Sequence, residues 1–332
     1  MGRVYVLLGA VFLGARLAAQ APPTPLPAVD RVRITEAHHV AAAVADKVWP
    51  TWSAAPFAML LITPSTEFLA DAPAQGSGWS AVPFDTLFGT LIHSRPRQFA
   101  PQMQATFPFV NGINTIVIGE PQLTSDKTST RWVLTVMHEH FHQWVYSQPW
   151  YYPKVAALGL DHGDKSGMWM LNYPFPYDSA EVGRRFTQMT HALRQVLTAT
   201  EDAPRAAAIA EYRDARAAFR AILPADALKY LDFQLWQEGV ARYTEVVVSD
   251  ALTRSNYKPT AAFAALPDAR SYAQVGSQIR TGITNDLDSL VLARDRRTVV
   301  YSLGAAEAML LDITKPNWRA QYLTHPFKLP DP

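Results

Sequence analysis

Two histidines and a glutamate within five residues are the strongest candidates for chemistry in this chain. His138, Glu139 and His142 stand in the segment 136–144, which reads VMHEHFHQW and contains the pattern H-E-x-x-H. On a helix, residues four apart lie on one face, so both imidazoles can point at one metal ion. Glu139 then lies beside that ion and can reach a water molecule on it without being a ligand. The pattern therefore predicts a metal site that has its own general base.

The residues around this motif predict that its helix is buried. Apolar side chains cover nearly the whole circumference of that helix: Trp132, Val133, Leu134, Val136, Met137, Phe141, Trp144 and Val145. A helix that is apolar all round is a buried one, and two buried imidazoles beside a carboxylate need polar partners, which a metal ion provides. His140 projects about 200° around the helix from His138, so we expect it to be a hydrogen-bonded core residue.

A third protein ligand is expected downstream, because a catalytic zinc usually has three protein ligands and a water molecule. The best candidate segment is 235–245, LWQEGVARYTE, which is predicted to be helical. Glu238 and Glu245 are seven residues apart and so share a face, two turns from each other. One of them can bind the metal, and the other can accept a hydrogen bond from a ligand histidine and fix its tautomer.

Local sequence patterns predict the elements that must position these residues. Ser129 or Thr130 is expected to cap a helix that runs to about Tyr146 and carries the motif. The β-branched run 114–119 predicts a strand that either offers its edge to an extended substrate beside the site or is plain core. The other expected elements are helices over 35–47 (capped by Thr35), 179–199, 203–222, 225–251 and 301–312, a strand over 57–63 and an aromatic loop over 148–177.

The order of these elements predicts an α+β fold, because the strands fall early in the chain and the helices late. We expect an early sheet, an active-site helix and a helical C-terminal lobe. The N-terminal part would span 22–147, and the part over 148–332 would hold the aromatic loop and the later helices. Residues 71–108 show no clear period, and 252–297 are expected to be irregular or partly helical.

Composition and charge exclude several classes of protein. The 332 residues carry a net charge of +1, and the lack of a basic excess or a basic run argues against nucleic-acid binding. Cysteine is absent, so any metal must be held by His, Asp or Glu. Residues 1–21 combine Arg3, a short apolar run and small residues, a pattern typical of a secretory signal peptide. We therefore expect an exported chain, periplasmic or secreted, with no stable membrane insertion after removal of the signal.

Three motifs follow one another in a fixed order. They are H-E-x-x-H, then E-G-x-A-x-Y-x-E over 238–245, then Y-x-x-G over 301–304. With these motifs the chain resembles the gluzincin metallopeptidases, in particular the aminopeptidase N-like enzymes. The resemblance implies a zincin-like catalytic domain with one Zn²⁺ per chain, held by His138, His142 and Glu238.

The resemblance also implies an activity, that of a zinc-dependent metallopeptidase acting on peptides or proteins. In such an enzyme Glu139 takes the proton of the zinc-bound water and passes it to the leaving amine. The Tyr301 hydroxyl stabilises the oxyanion. Two alternatives share the metal site: a zinc hydrolase of a non-peptide amide or ester, and an inactive binding protein that retains zinc.

Two departures from the family pattern bear on this expectation. In the family the glutamate ligand follows the second histidine far more closely than Glu238 follows His142, so the aromatic loop and two helices would form an insertion. Asp161 and His162, in the loop LDHGD, stand at the shorter spacing and are rival third ligands. The G-x-M-E-N segment that binds a free amino terminus is missing, since 111–115 reads NGINT. Aminopeptidase specificity is therefore not implied.

Overall fold

One mixed sheet is followed by a predominantly helical C-terminal part in a computed structural model that describes residues 24–74 and 78–332. The expected α+β class is confirmed at this level. The proposed signal segment 1–21 lies outside the described residues. Among the helices that the structure describes, none is long and apolar enough to cross a membrane.

Within the described residues the sheet has six strands, in the order β3-β4-β2-β1-β6-β5. Among these strands β1 and β6 pair in parallel, and the other neighbours are antiparallel. This order places β6 inside the sheet, between β1 and β5, and leaves β5 at one edge. The strands are β1 Met59–Ile62, β2 Thr66–Ala70, β3 Ser80–Leu87, β4 Thr90–Pro96, β5 Gln104–Pro108 and β6 Asn114–Gly119.

Helices precede and follow the sheet, and most of them lie C-terminal to it. A five-residue π-helical segment, Leu235–Gly239, interrupts one of them. The α-helices are α1 Ala28–Val48, α2 Ser129–Tyr146, α3 Tyr151–Ala157, α4 Trp169–Asn172, α5 Ala180–Thr198, α6 Asp202–Ala221, α7 Ala225–Gln234, α8 Val240–Arg254, α9 Ala261–Ala264, α10 Tyr272–Ser289, α11 Leu292–Asp295 and α12 Val299–Thr314.

Large aromatic side chains connect the early and late parts of the chain in one core. Trp49, which follows α1, has its ring 5.3 Å from that of Phe141 on α2 and 5.0 Å from that of Tyr322 near the C-terminus. Trp236 of the π-helical segment stacks on Tyr322 at 4.4 Å. Burying such large apolar surfaces stabilises the fold, and here it fixes α2 against the segment that carries Glu238.

Two of the sequence-based expectations are wrong. α1 begins at Ala28 and not at Thr35, because its first turns are held by tertiary contacts and by an ion pair between Arg33 and Asp30 at 2.7 Å. The expected loop over 148–177 contains the short helices α3 and α4.

Two other stretches receive their elements from the structure. The stretch 71–108, which shows no clear period, contains β3, β4 and β5. The stretch 252–297 is partly helical, as expected, and contains the eighteen-residue helix α10.

Candidate metal centre

Helix α2 carries the H-E-x-x-H motif through the interior of the protein. It begins at Ser129, and the N-cap is Thr128, one residue before the expected caps, whose side chain accepts a hydrogen bond from the Arg131 amide. His138, Glu139 and His142 are only 7%, 5% and 3% exposed. The expected burial of this helix is confirmed. Ionisable side chains at this depth require partners, and the partners come from three other elements.

The π-helical segment presents Glu238 to α2. Its wider turn replaces the regular spacing between α7 and α8, and such local π segments are frequent at functional sites. The backbone there touches α12, since a Cβ built on Gly239 would lie 2.4 Å from the Cα of Gly304. The same physical reason explains both motif glycines: the two elements can approach so closely only because neither residue has a side chain.

His138, His142 and Glu238 form a group that could hold one metal ion. One ligand atom from each lies within 4.8 Å of the others, and within residues 24–74 and 78–332 this is the one such group. The Nε2 atom of His142 is 3.5 Å from Oε2 of Glu238. Two atoms that each lie about 2.1 Å from a tetrahedral ion are separated by about 3.4 Å. The donor set of two imidazoles and one carboxylate is one that zinc uses, so these residues fit the ion.

Glu245 lies behind His138 and orients its ring. Its Oε1 atom is 2.9 Å from Nδ1 of His138, which leaves Nε2 of that ring for a metal. The other carboxylate oxygen, Oε2, accepts from Nη1 of Arg131 and Nη1 of Arg242, each at 2.5 Å. Burial works to raise the pKa of Glu245, but the two arginines and His138 outweigh it and hold that pKa far below its usual range. A carboxylate in this state keeps the proton on Nδ1 of the histidine.

The electrostatic surroundings of the imidazoles favour a cation. Burial acts to lower the pKa of His138, yet the hydrogen bond to Glu245 and the charges of Glu139 and Glu238 outweigh it and raise that pKa. Negative charge around two imidazoles stabilises any positive charge placed between them. A protonated ring or a bound metal ion would meet this condition.

His142 is held differently from His138. Its ring stacks on that of Tyr146, one turn further along α2, with centroids 5.2 Å apart and planes 22° from parallel. Its buried Nδ1 has no hydrogen-bond partner within the described ranges. Stacking therefore orients this imidazole, whereas a carboxylate orients the other.

Glu139 receives a hydrogen bond from the edge strand of the sheet. Oγ1 of Thr106, on β5, is 2.8 Å from Oε2 of Glu139 and 3.0 Å from its main-chain oxygen. The expected strand 114–119 is present with the same bounds as β6, but it is buried throughout and lies inside the sheet. Of the two interpretations of that strand, plain core is confirmed, and β5 is the edge that borders the site.

Tyr301 reaches the site from the first turn of α12. Its ring centroid is 6.3 Å from that of His138, and its hydroxyl accepts a hydrogen bond from Nη2 of Arg297 at 3.0 Å. Nη1 of the same arginine lies 3.7 Å from Oε1 of Glu238. Burial, followed by the charge of Glu238, raises the pKa of Tyr301 well above its usual range, and Arg297 opposes this. The phenol thus stays protonated and can act as a donor.

The structure separates the rival ligands from this group. Asp161 binds the ammonium group of Lys165 at 2.7 Å, and neither Asp161 nor His162 belongs to the metal group. Both lie in a turn whose residues adopt positive φ angles, as at His162 and Gly163. The structure therefore does not bring either residue to the histidines, and Glu238 is the carboxylate that faces them.

His140 is a core residue, as expected from its direction on α2. Its Nδ1 atom is 2.9 Å from Oε1 of Gln143, and its ring stacks on that of Trp52 at 5.3 Å. Burial lowers its pKa to about 4, so the ring stays neutral at physiological pH.

The aromatic residues of 148–177 mostly pack against α7. Trp169 stacks on Phe233 at 5.6 Å, and Tyr173 stacks on Tyr230 at 4.4 Å. Tyr151 hydrogen-bonds to Gln237, next to Glu238. This segment therefore packs against α7 and contacts the π-helical segment, which carries Glu238.

Thr106 and Arg297 were not predictable as site residues from the sequence. Thr106 lies in the stretch without a clear period, and Arg297 lies in a short 3-10 helix with no motif of its own. Their contacts with Glu139 and Glu238 join segments that are distant in the chain.

Comparisons with known proteins assign no family to this chain. No family model, no curated protein and no solved structure matches it. Function is therefore inferred from the site itself.

Proposed function

We propose that this chain is a zinc-dependent metallohydrolase that cleaves peptide bonds, with His138, His142 and Glu238 as the metal ligands. The convergence of these three buried ligand atoms within 4.8 Å carries the proposal. Glu139 lies next to one ligand in the chain, and Glu245 orients that ligand from behind. A bound Zn²⁺ supplies Lewis-acid chemistry, which lowers the pKa of water and polarises a carbonyl group.

Glu139, Thr106 and Tyr301 have different roles in the hydrolysis. The carboxylate of Glu139 takes a proton from the attacking water and delivers it to the leaving amine as the C–N bond breaks. Thr106 holds Oε2 of Glu139 in place by its hydrogen bond. The protonated hydroxyl of Tyr301 donates to the oxygen on which negative charge develops.

The position of β5 favours a peptide over a small amide or ester. One side of β5 pairs with β6, and among the described strands β5 has no neighbour on its other side. An extended peptide can add to such an edge through main-chain hydrogen bonds. Because Thr106 on this strand contacts Glu139, a peptide bound there would pass close to the base.

Family membership and export are part of the proposal. The order of the three motifs and the contact between Gly239 and Gly304 support a catalytic domain like that of the gluzincins. The composition of residues 1–21 supports action outside the cytoplasm.

Cleavage of a mixed peptide library by the zinc-loaded chain, beside its Glu139→Gln variant, tests this function. We expect the wild type to cut and the variant to be slower by about 10²- to 10⁴-fold, with an unchanged zinc content, since Glu139 is not a ligand. If neither protein cuts peptides although both hold zinc, the peptidase proposal is wrong, and amide and ester substrates are tested next. Equal cleavage by both would show that Glu139 is not the base.

A further inference from the structure

A cavity of about 520 Å³ adjoins the metal centre on the side of His138 and Tyr301. It is lined by one face of α2, by the start of β5, and by residues of α8, α10 and α12. Its walls are mostly polar and include five carboxylates and three arginines, of which Arg131 and Arg242 lie beside Glu245. A peptide bound at the metal centre would direct one side chain into this cavity. The charges on the walls therefore decide which side chains are accepted.

One carboxylate oxygen holds two guanidinium groups in the wall of this cavity. Nη1 of Arg131 and Nη1 of Arg242 each lie 2.5 Å from Oε2 of Glu245, so these two nitrogens are no more than about 5 Å apart. At that distance two like charges repel each other appreciably unless negative charge lies between them. Glu245 supplies one negative charge and also accepts a hydrogen bond from His138. Asp126 supplies a second, since its Oδ1 lies 3.7 Å from Nε of Arg131.

Both arginines keep donors for a further partner. A guanidinium has five N–H groups, and the only hydrogen bond that Arg131 or Arg242 makes from its side chain, in the part of the chain described, goes to Glu245. Their side chains are 23% and 22% exposed, so they are accessible from the cavity. The two planar guanidinium groups can therefore bind a carboxylate through several N–H donors.

The acidic residues of the cavity are already held by other groups. Asp126 accepts from Thr135 and Gln104, each at 2.8 Å, and pairs with Nε of Arg131 at 3.7 Å. Burial raises its pKa, and the charge of Arg131 opposes this. Asp295 is bound by Arg294 through two hydrogen bonds of 2.7 Å. The remaining one, Asp286, accepts from the hydroxyl of Ser302 at 2.6 Å.

We propose that this cavity is a subsite for an acidic side chain, so that the enzyme prefers peptides with Asp or Glu next to the scissile bond. The carboxylate of that residue would lie between Arg131 and Arg242 and accept their free N–H groups. The preference rests on the proposed function, since a peptide has to bind at the metal centre. The competing possibility is a basic side chain on Asp286, and this is an outcome of the test below.

Matched peptide pools that differ at one position test the subsite. The position is filled with Glu, Gln or Lys and moved along an otherwise neutral sequence, and kcat/KM is measured for each pool. We expect Glu to exceed Gln by about tenfold or more at one position beside the cut, and Lys to be the poorest. The ratio of Glu to Gln, and not the absolute rate, is the readout, because Arg242 also supports Glu245.

Two variants identify the groups responsible. Arg242→Gln is expected to reduce the ratio of Glu to Gln towards one, whereas Asp286→Asn, in the opposite wall, is expected to leave that ratio high. Arg131→Gln provides a second test of the arginine pair if the first variant does not fold. A wild-type preference for Lys that disappears in Asp286→Asn would overturn the proposal, and so would equal rates with Glu and Gln at every position.

Binding separates failure of the subsite from failure of the proposed function. The zinc-loaded Glu139→Gln variant, which keeps the metal ligands but lacks the proposed base, is titrated with the same pools in a calorimeter, where no turnover is required. Tighter binding of the Glu pool than of the Gln pool supports the subsite even if no peptide is cut. If the two pools bind equally and the rate of cleavage does not depend on the position of Glu, the proposed peptidase activity stands and the proposed subsite is wrong.

Discussion

Arg297 connects the metal ligand Glu238 with Tyr301, and this contact determines what the tyrosine can do. Nη2 of the arginine donates to the Tyr301 oxygen at 3.0 Å, so the phenolic proton points elsewhere. Nη1 is 3.3 Å from Oε1 of Gln234 and 3.7 Å from Glu238. A guanidinium can span these partners because it is planar and carries several donors, whereas a lysine ammonium is a compact point charge.

Replacing these two residues tests their separate roles in the proposed hydrolysis. Tyr301→Phe removes the donor to the oxyanion, and we expect kcat to fall by about 10²- to 10³-fold with little change in KM. Arg297→Lys is expected to lower kcat less, because the phenol remains but is no longer held. The measurement is steady-state kinetics on the best peptide of the library.

The neighbouring Arg296→Lys is the control, since Arg296 binds the exposed Asp178, and it should act like the wild type. A normal kcat in Tyr301→Phe would remove Tyr301 from the mechanism.

The individual residues of the site were predictable only where they belong to a periodic pattern. Helical spacing alone placed His138 and His142 on one face of α2, and it placed Glu238 and Glu245 on one face of a second helix. It could not decide which glutamate faces the metal; the resemblance assigned Glu238, and the structure assigns Glu245 to the ring of His138. Thr106 acts across the fold, so no spacing in the sequence reports its contact.

At the scale of elements, α8 and α2 are joined by the charges around Glu245. Glu245→Gln keeps the shape of the side chain but removes the negative charge that orients His138 and holds two arginines. We expect zinc affinity to fall by about 10- to 100-fold, as is usual when such a partner of a ligand histidine is lost. Competition with a chromophoric chelator measures the affinity. Glu211→Gln on the exposed face of α6 is the matched control. Unchanged affinity in a folded Glu245→Gln protein would contradict the orienting role.

The contact between Glu120, which follows β6, and Asp30 of α1 predicts how stability depends on pH. Burial, and then the neighbouring Asp30, raises the pKa of Glu120 from 4.5 to about 7. The folded state therefore holds a proton that the unfolded state has already lost. This contribution to stability is complete below about pH 4.5 and is lost as the pH rises through about 7.

A neutral replacement isolates this effect. We expect the free energy of unfolding of the wild type to fall between pH 5 and pH 8 relative to that of Glu120→Gln, which has no proton to lose. Urea unfolding at both pH values measures the difference. If the two proteins change in parallel over this range, Glu120 does not hold the proton.

The elements themselves were predictable where one pattern dominates. The bounds of β6 and the end of α2 agree with the sequence, because a β-branched run and an apolar helix each give a strong local signal. The bounds of α10 were not predictable, because its buried positions, such as Val275, Ile279 and Ile283, are separated by many polar residues. The sequence predicts regular helix where the π-helical segment lies, since helix propensity does not report the close approach of Gly239 to Gly304.

For the whole molecule, a bound metal would link α2 to the helical C-terminal part. The ligands come from two segments that lie far apart in the chain, and the unfolded chain does not bring them together. Zinc binding is then coupled to folding and stabilises the folded state. At a free zinc concentration of 1,000 times the dissociation constant, this stabilisation is about 4 kcal/mol.

Thermal unfolding with and without zinc therefore tests the ligand set independently of activity. We expect zinc to raise the melting temperature of the metal-free wild type by several degrees, since about 1 kcal/mol corresponds to roughly 2 to 4 °C in chains of this order of size. Glu238→Ala is expected to lose most of this shift. Asp161→Ala is the matched control, because its carboxylate binds Lys165 at the surface and not the histidines, and it should keep the full shift. The opposite result, a shift retained in Glu238→Ala and lost in Asp161→Ala, would mean that the loop closes onto the histidines when metal binds. The third ligand would then stand at the shorter spacing, and the approach of Gly239 to Gly304 would serve packing alone.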